Sequence, residues 1–178
     1  MPKPPLADAV EAALAWHGDQ RRKDGSPYVS HLLQVAGLVL EHGGSMDAAV
    51  AAVLHDVVED TGATLDDVRD RFGPVVAGIV ESCTDSLDLP RGPATWRARK
   101  DAYLAHLATG PPDAALVAAC DTLHNLRSRV LTGVGGFNAS AEDRAWFYEQ
   151  VVTLLAARGD VPEPLVAELR SLSRRAWR

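Results

Sequence analysis

Cysteine is scarce: Cys83 and Cys120 are the two in 178 residues, and no C-x-x-C spacing occurs. That leaves no disulfide framework and suggests a reducing compartment. No apolar run approaches the ~20 residues of a membrane span. The opening MPKPPLADAVEAAL, with one lysine and early acids, is unlike a signal peptide. Cations are outnumbered, 18 Lys and Arg against 24 Asp and Glu, for a formal net charge of -6. A protein held mainly to nucleic acid by its overall field is therefore not expected, and an anionic substrate must meet locally placed cations. Period-2 strand runs, internal repeats and low-complexity tracts are also lacking, as is any P-loop. Gly133-x-Gly135-Gly136 follows no strand and lacks the third glycine of a dinucleotide fingerprint, so it reads as a flexible loop. These absences describe a soluble, cytoplasmic protein with neither a nucleic-acid nor a membrane partner.

What the chain does have is helical periodicity almost throughout. With 47% hydrophobic residues it is long enough to bury a core and short enough to be one domain, 1–178. A first helix is predicted from Leu6 to Trp16, with Leu6, Val10, Ala13, Leu14 and Ala15 as its apolar stripe, followed by the polar loop HGDQRRKDGSP. Pro27 suits the first turn of a second helix carrying His31, Val35, Leu38 and Val39, stopped by Gly43-Gly44. A third runs from Met46 to Asp60, and a short fourth begins at Thr64, which with Asp67 resembles a capping box. Gly73-Pro74 separates it from Val75 to Ser82. Residues 85–94 form a Pro-rich connector inside the domain, before helices over Thr95 to Ala108, Pro112 to Leu131, Ala141 to Ala157 capped by Ser140, and Pro164 to Arg174. The fold class is all-α, a bundle of short helices.

One stretch sits oddly in that bundle. In AAVLHDVVEDT, residues 51–61, an apolar run that suits burial on every side leads into His55, Asp56, Glu59 and Asp60. Burying such groups unpaired costs several kcal/mol each (~2–7 even for neutral polar groups). Neighbours on a helix point about 100° apart, so His55 and Asp56 touch one small target only at the lip of a pocket or near a helix end. His55 with Glu59 and Asp56 with Asp60 are i, i+4 pairs, two adjacent columns on one side of the predicted helix. Taken alone, the doublet also reads as a helix end emerging into solvent.

Two further oddities accompany it. ALVAACDTLHNLRSRVL is apolar at Leu116, Val117, Ala119, Cys120, Leu123 and Leu126, yet Asp121, Asn125 and Ser128 fall at i, i+4 and i+7. His31 sits one turn before Val35 on a helix whose other inward positions are apolar. Two histidines and two or more aspartates on three helices could give mixed nitrogen and oxygen ligation to one divalent ion. Such a set with open water positions suits Mn2+, Fe2+ or Zn2+ better than Ca2+. An ion there offsets the buried charge and lowers the pKa of a bound water towards ~7.

His31, the His55-Asp56 doublet and Asp121, in that order, resemble the metal set of the HD-domain phosphohydrolases. More narrowly, Arg21 to His31 (RRKDGSPYVSH), Leu54 to Thr61 (LHDVVEDT), TLDDVRDRFG and Asp121 to Arg127 (DTLHNLR) are similar to the hydrolase domain of RelA/SpoT proteins. The synthetase and regulatory regions are lacking, as in stand-alone small alarmone hydrolases, and the likeness covers roughly residues 6–130. The resemblance implies His31, His55, Asp56 and Asp121 as ligands to Mn2+, with Zn2+ or Fe2+ less favoured. It implies Glu59 and Asp60 as the carboxylates that orient and deprotonate water. Arg22 and Lys23 would lie beside the nucleotide, with Asn125 and Ser128 as further substrate contacts. The small-molecule substrate would be ppGpp or pppGpp, cleaved to GDP or GTP and pyrophosphate. Other expectations from the same resemblance are hydrolysis of ppApp, pppApp or the 2′-phosphate of NADPH, or a nucleotide-binding module without turnover. Retention of both Glu59 and Asp60 argues against the last. Ala118 and Thr122 stand where the family carries basic residues, which points to a looser grip on phosphate. Trp96, Trp146, Phe147 and Trp177 read as packing residues, with Trp146 and Tyr148 as candidates to line the pocket. Arg170, Arg174, Arg175 and Arg178 read as a solvated helix end.

Overall fold

The computed structural model describes residues 5–85, 89–133 and 139–177. The glycine-rich loop beyond Gly133, the middle of the 85–94 connector and Arg178 lie outside them. Among the described residues ten α-helices follow one another: α1 Pro5–His17, α2 Val29–Glu41, α3 Met46–Leu54, α4 Val57–Asp60, α5 Leu65–Phe72, α6 Pro74–Cys83, α7 Trp96–Thr109, α8 Pro112–Thr132, α9 Ala141–Arg158 and α10 Glu163–Ala176. Among the described residues the sole β pairing is an isolated bridge between Arg21 and Pro27.

α3 is the hub. Ala48 to Leu54 are each 1% exposed or less, and α1, α2, α6 and α8 all pack on it. Four of those seven residues are alanine, and small side chains let neighbouring helices approach. Ser45 caps its N-terminus by accepting from the Ala48 N–H, at 3.0 Å. The turn entering α3 needs both of its glycines. Gly43 adopts φ 82°, and a Cβ on Gly44 would lie 2.5 Å from Val39 Cγ1. The expected capping box is present: Thr64 Oγ1 accepts from Asp67 N, and Asp67 Oδ2 accepts from Thr64 N. Ser140 likewise caps α9.

Two expectations need correction. The first concerns α1, which buries Ala9, Ala12, Ala13 and His17, while Leu14 is 49% exposed and Ala15 faces outward. Small residues at i, i+3 and i+4 win the inner face because α3 lies close. The second concerns the helix predicted from Met46 to Asp60, which breaks at His55-Asp56. His55 Nδ1 donates to the Ala52 carbonyl at 2.8 Å, the acceptor that a continuous helix offers to the Asp56 N–H. Asp56 moves to φ −100°, ψ −5°, and the ladder resumes with Asp60 N on Asp56 O. A side chain inserted into the ladder is one of the few causes of a sharp helix break without proline or glycine.

Candidate metal centre and nucleotide cavity

The break turns His55 and Asp56 to one point. There Asp56 Oδ2 lies 3.0 Å from His55 Nε2 and 3.5 Å from His31 Nε2, which α2 supplies. Asp121 Oδ1, from α8, lies 3.2 Å from His31 Nε2 and 3.6 Å from His55 Nε2. Two donors each ~2.1 Å from a shared ion stand ~3.0–3.4 Å apart at octahedral to tetrahedral angles. The four groups expected from the sequence are thus gathered at ligand spacing, and the donors of His31, His55 and Asp56 all lie within 4.8 Å of one another. His55 Nε2 is buried with no hydrogen-bond partner, while Nδ1 donates to the Ala52 carbonyl. An orphaned imidazole nitrogen beside two carboxylates fits a divalent cation.

Surrounding groups fix these donors. Tyr28 Oη donates to Asp56 Oδ2 at 2.6 Å, and Asn125 Nδ2 donates to Asp121 Oδ1 at 2.7 Å. His31 Nδ1 lies 2.8 Å from His124 Nδ1. Burial above all, with the Arg22 guanidinium nearby, pushes the His124 pKa down to about 4, so at neutral pH its Nδ1 can accept a hydrogen bond from His31 Nδ1. With Nδ1 so engaged, Nε2 is the His31 nitrogen turned towards Asp56 and Asp121. Burial opposes charge on His55, Asp56 and Asp121. The imidazoles nevertheless hold the Asp56 and Asp121 carboxyls well below the usual carboxylate range, and the carboxylates hold His55 well above its ordinary value.

Glu59 and Asp60 follow within one turn, beside the cluster. Of the two expected i, i+4 pairs, Asp56 with Asp60 keeps its helical backbone bond, Asp60 N donating to Asp56 O at 2.9 Å. Glu59 accepts from the Asp85 N–H at 2.5 Å and from Arg91 Nη2 at 3.1 Å. Asp60 accepts from Gln20 Nε2 at 3.0 Å and meets Arg91 Nη1 at 3.4 Å. Asp85 is itself buried and paired with Arg99 and Lys100. Burial, aided by repulsion from Asp56 and offset by Lys100, pushes the Glu59 pKa up to about 7.

Above these groups opens a cavity of 280 Å³, into which Arg22, Lys23, Asn125 and Ser128 all face, as do Ala118 and Thr122. Arg22 Nη2 donates to Asn125 Oδ1 at 2.9 Å, linking the 18–28 loop to α8. The sequence reading did not find Lys100, Arg129 and Arg144, which bring cations from α7, α8 and α9 to the same cavity. It also did not assign Tyr28, Gln20 and His124. Tyr28 and His124 lie inside quoted motifs, so position within those motifs was the available signal. Of the aromatic residues, Tyr28, Tyr103, Phe147, Tyr148 and Trp177 line the cavity. Phe147 and Trp177 are therefore more than packing. Trp146 instead stacks edge-on with Trp96 and receives Arg97 on its face. Arg170 pairs with Glu163 at 3.7 Å, in keeping with a solvated helix end. Both cysteines are free and buried, and no helix among the described residues is long and apolar enough to cross a membrane.

An all-helical fold that converges two histidines and two aspartates beneath a cationic cavity has a counterpart among known proteins. The profile of the HD domain matches residues 9–157, and the chain belongs to the HD-domain family. Within it, the chain is 40% identical over 126 residues to guanosine-3′,5′-bis(diphosphate) 3′-pyrophosphohydrolase MESH1 of Homo sapiens, covering 68% of each. To the protein of that name from Drosophila melanogaster it is 32% identical over 155 residues, covering 85% of this chain and 84% of the other. A solved structure of a metazoan ortholog of SpoT, described as hydrolysing ppGpp and playing a role in starvation responses, superposes with a TM-score of 0.80 at 30% identity. The superposition covers 98% of this chain and 96% of that one.

Proposed function

We propose that the protein hydrolyses the 3′-pyrophosphate of guanosine alarmones, converting ppGpp to GDP and pppGpp to GTP with release of pyrophosphate. The observation that carries this reading is the convergence of four nitrogen and oxygen donors with two carboxylates beneath a cavity ringed by cations. The relatives' names support it. His31, His55, Asp56 and Asp121 hold a divalent ion, and the mixed imidazole and carboxylate set suits Mn2+. When bound, that ion supplies Lewis-acid activation of water and of the phosphoryl oxygens.

Water adds to the phosphorus that bears the 3′ oxygen, the bond between them breaks, and pyrophosphate departs. One of the pair Glu59 and Asp60 takes a proton from the attacking water, and the carboxyl so protonated returns it to the departing 3′ oxygen. A pKa near 7 suits Glu59 to that exchange at neutral pH. Arg22, Lys23, Lys100, Arg129 and Arg144 meet the phosphates, which a protein of net negative charge can attract only locally. Asn125 and Ser128 contact the nucleotide, and Tyr148, Phe147 and Trp177 give its base a stacking wall. Free thiols agree with a cytoplasmic setting.

The test compares kcat/KM for ppGpp, pppGpp, ppApp and NADPH, with each product identified. Pyrophosphate from the guanosine substrates is expected. Orthophosphate from NADPH with no cleavage of any 3′-pyrophosphate would replace this substrate while leaving the metal site intact.

A further inference from the structure

The two oxygens of Asp60 have different neighbours. Oδ2 accepts from Gln20 Nε2 at 3.0 Å, whereas Oδ1 faces the exposed Arg91 at 3.4 Å. The Gln20 amide is not free to turn over, because its Oε1 lies 2.7 Å from His17 Nδ1. Flipping it would set Oε1 against Asp60, two acceptors with no proton between them. His17 is itself buried, its ring stacked on Tyr28 with centroids 4.9 Å apart. The main chain is pinned as well: Gln20 N donates to His17 O, and Gln20 O accepts from Tyr28 N, each at 3.0 Å. Asp60 lines the cavity, and Gln20 reaches it through the bond to Oδ2.

We infer that Gln20 is a positioning residue: its amide holds Asp60 Oδ2 and thereby presents Oδ1 as the oxygen that takes a proton from the attacking water. This rests on the reading of Asp60 as a base given above. A carboxylate that rotates freely presents its oxygens at random, whereas one pinned by a donor behind it is aligned before substrate arrives. The donor's chemistry also fits the task. An amide orients the carboxylate while staying neutral, whereas a guanidinium in the same place favours the charged form and weakens the base. The weak contact to Arg91 on Oδ1 joins two groups near the surface, where such pairs are easily exchanged for water or phosphate.

The test is ppGpp hydrolysis, with Mn2+ supplied, by Gln20→Leu, Gln20→Glu, Asp60→Asn and the double variant Gln20→Leu/Asp60→Asn. Gln20→Leu is expected to lower kcat ~10- to 100-fold, the range for partners that orient a reacting group, with KM held within about twofold. Gln20→Glu, which keeps the shape and loses the donor, should fall as far. Affinity for GDP, measured by calorimetry without turnover, stays at the wild-type value. In the Asp60→Asn background the leucine has no further effect, because the group it acts through is gone. Wild-type kcat in both Gln20 variants, an equal factor lost in both backgrounds, or a matching loss of GDP affinity each overturns the role of Gln20 and leaves Asp60 as the base. Full turnover by Asp60→Asn alone removes Asp60 from the reaction, and the positioning role falls with it.

Discussion

The donor cluster and the carboxylate pair lie within one helical turn of each other, yet they are held in opposite ways. His31 and Asp121 sit on helices packed at the hub and His55 caps the hub helix itself, and each is fixed by a nearby buried or half-buried group: His124, Asn125 and Ala52 O respectively. Glu59 and Asp60 belong to a four-residue helix and are held from outside it, by the 18–28 loop and the segment around Asp85 and Arg91. The site thus divides into a part set by the core and a part set by loops. Ligand geometry is expected to survive loop changes, and proton transfer is not.

The largest expected effect breaks the core-set half. Replacing His55 or Asp121 by alanine should abolish both turnover and the ~1 equivalent of bound metal expected in purified wild type, read by elemental analysis. Full metal occupancy in either variant would remove that residue from the site. A smaller effect separates the two halves. Glu59→Gln should lower kcat ~10²–10⁴-fold, the usual contribution of a positioned base, while metal content stays at the wild-type level. The same variant carries a stability signature. A carboxyl whose pKa rises from 4.5 to about 7 on folding costs stability as pH climbs through that window. Metal-free Glu59→Gln should therefore melt above metal-free wild type at pH 8, by an increment on the order of 3 kcal/mol at most, and lose that advantage below pH 4.5. Equal melting temperatures at pH 8 would mean that Lys100 and Arg91 fully offset the burial of the charge. The mildest change, Tyr28→Phe, removes one donor to Asp56 across the boundary between loop and core. It should weaken metal affinity ~10-fold, read from the chelator concentration that strips the ion. No change there would confine the loop's influence to Asp60.

The core-set half was the legible one. An all-round apolar run ending in His55-Asp56, and a polar stripe at Asp121, Asn125 and Ser128, are conflicts between local pattern and burial, and such conflicts mark sites. The helix break escaped because nothing in i, i+4 spacing distinguishes a continuous helix from one whose carbonyl is captured by a side chain. On α1 the larger side chain misled, since Leu14 was assigned to the face that alanines occupy. Gln20 belongs to a polar loop with no periodicity, so no pattern isolates it. Lys100, Arg129 and Arg144 become neighbours only when α7, α8 and α9 converge on one cavity, a fact of tertiary structure that no local spacing encodes.

The Ala52 carbonyl has a wider reach than helix geometry. It belongs to one of the best-packed residues in the protein, and it also sets the proton position and orientation of His55. The dissociation constant of a divalent ion bound at the cluster would in that sense be a strain gauge embedded in the hub. Enlarging Ala49 or Ala51, both fully buried, overpacks α3 against its neighbours at a cost of ~1–3 kcal/mol. Any shift that results is transmitted to His55 through a single peptide group. In a collection of core variants, those that still fold can be ranked by metal affinity, so that a titration performed at the surface of the cavity measures distortion at the centre of the molecule.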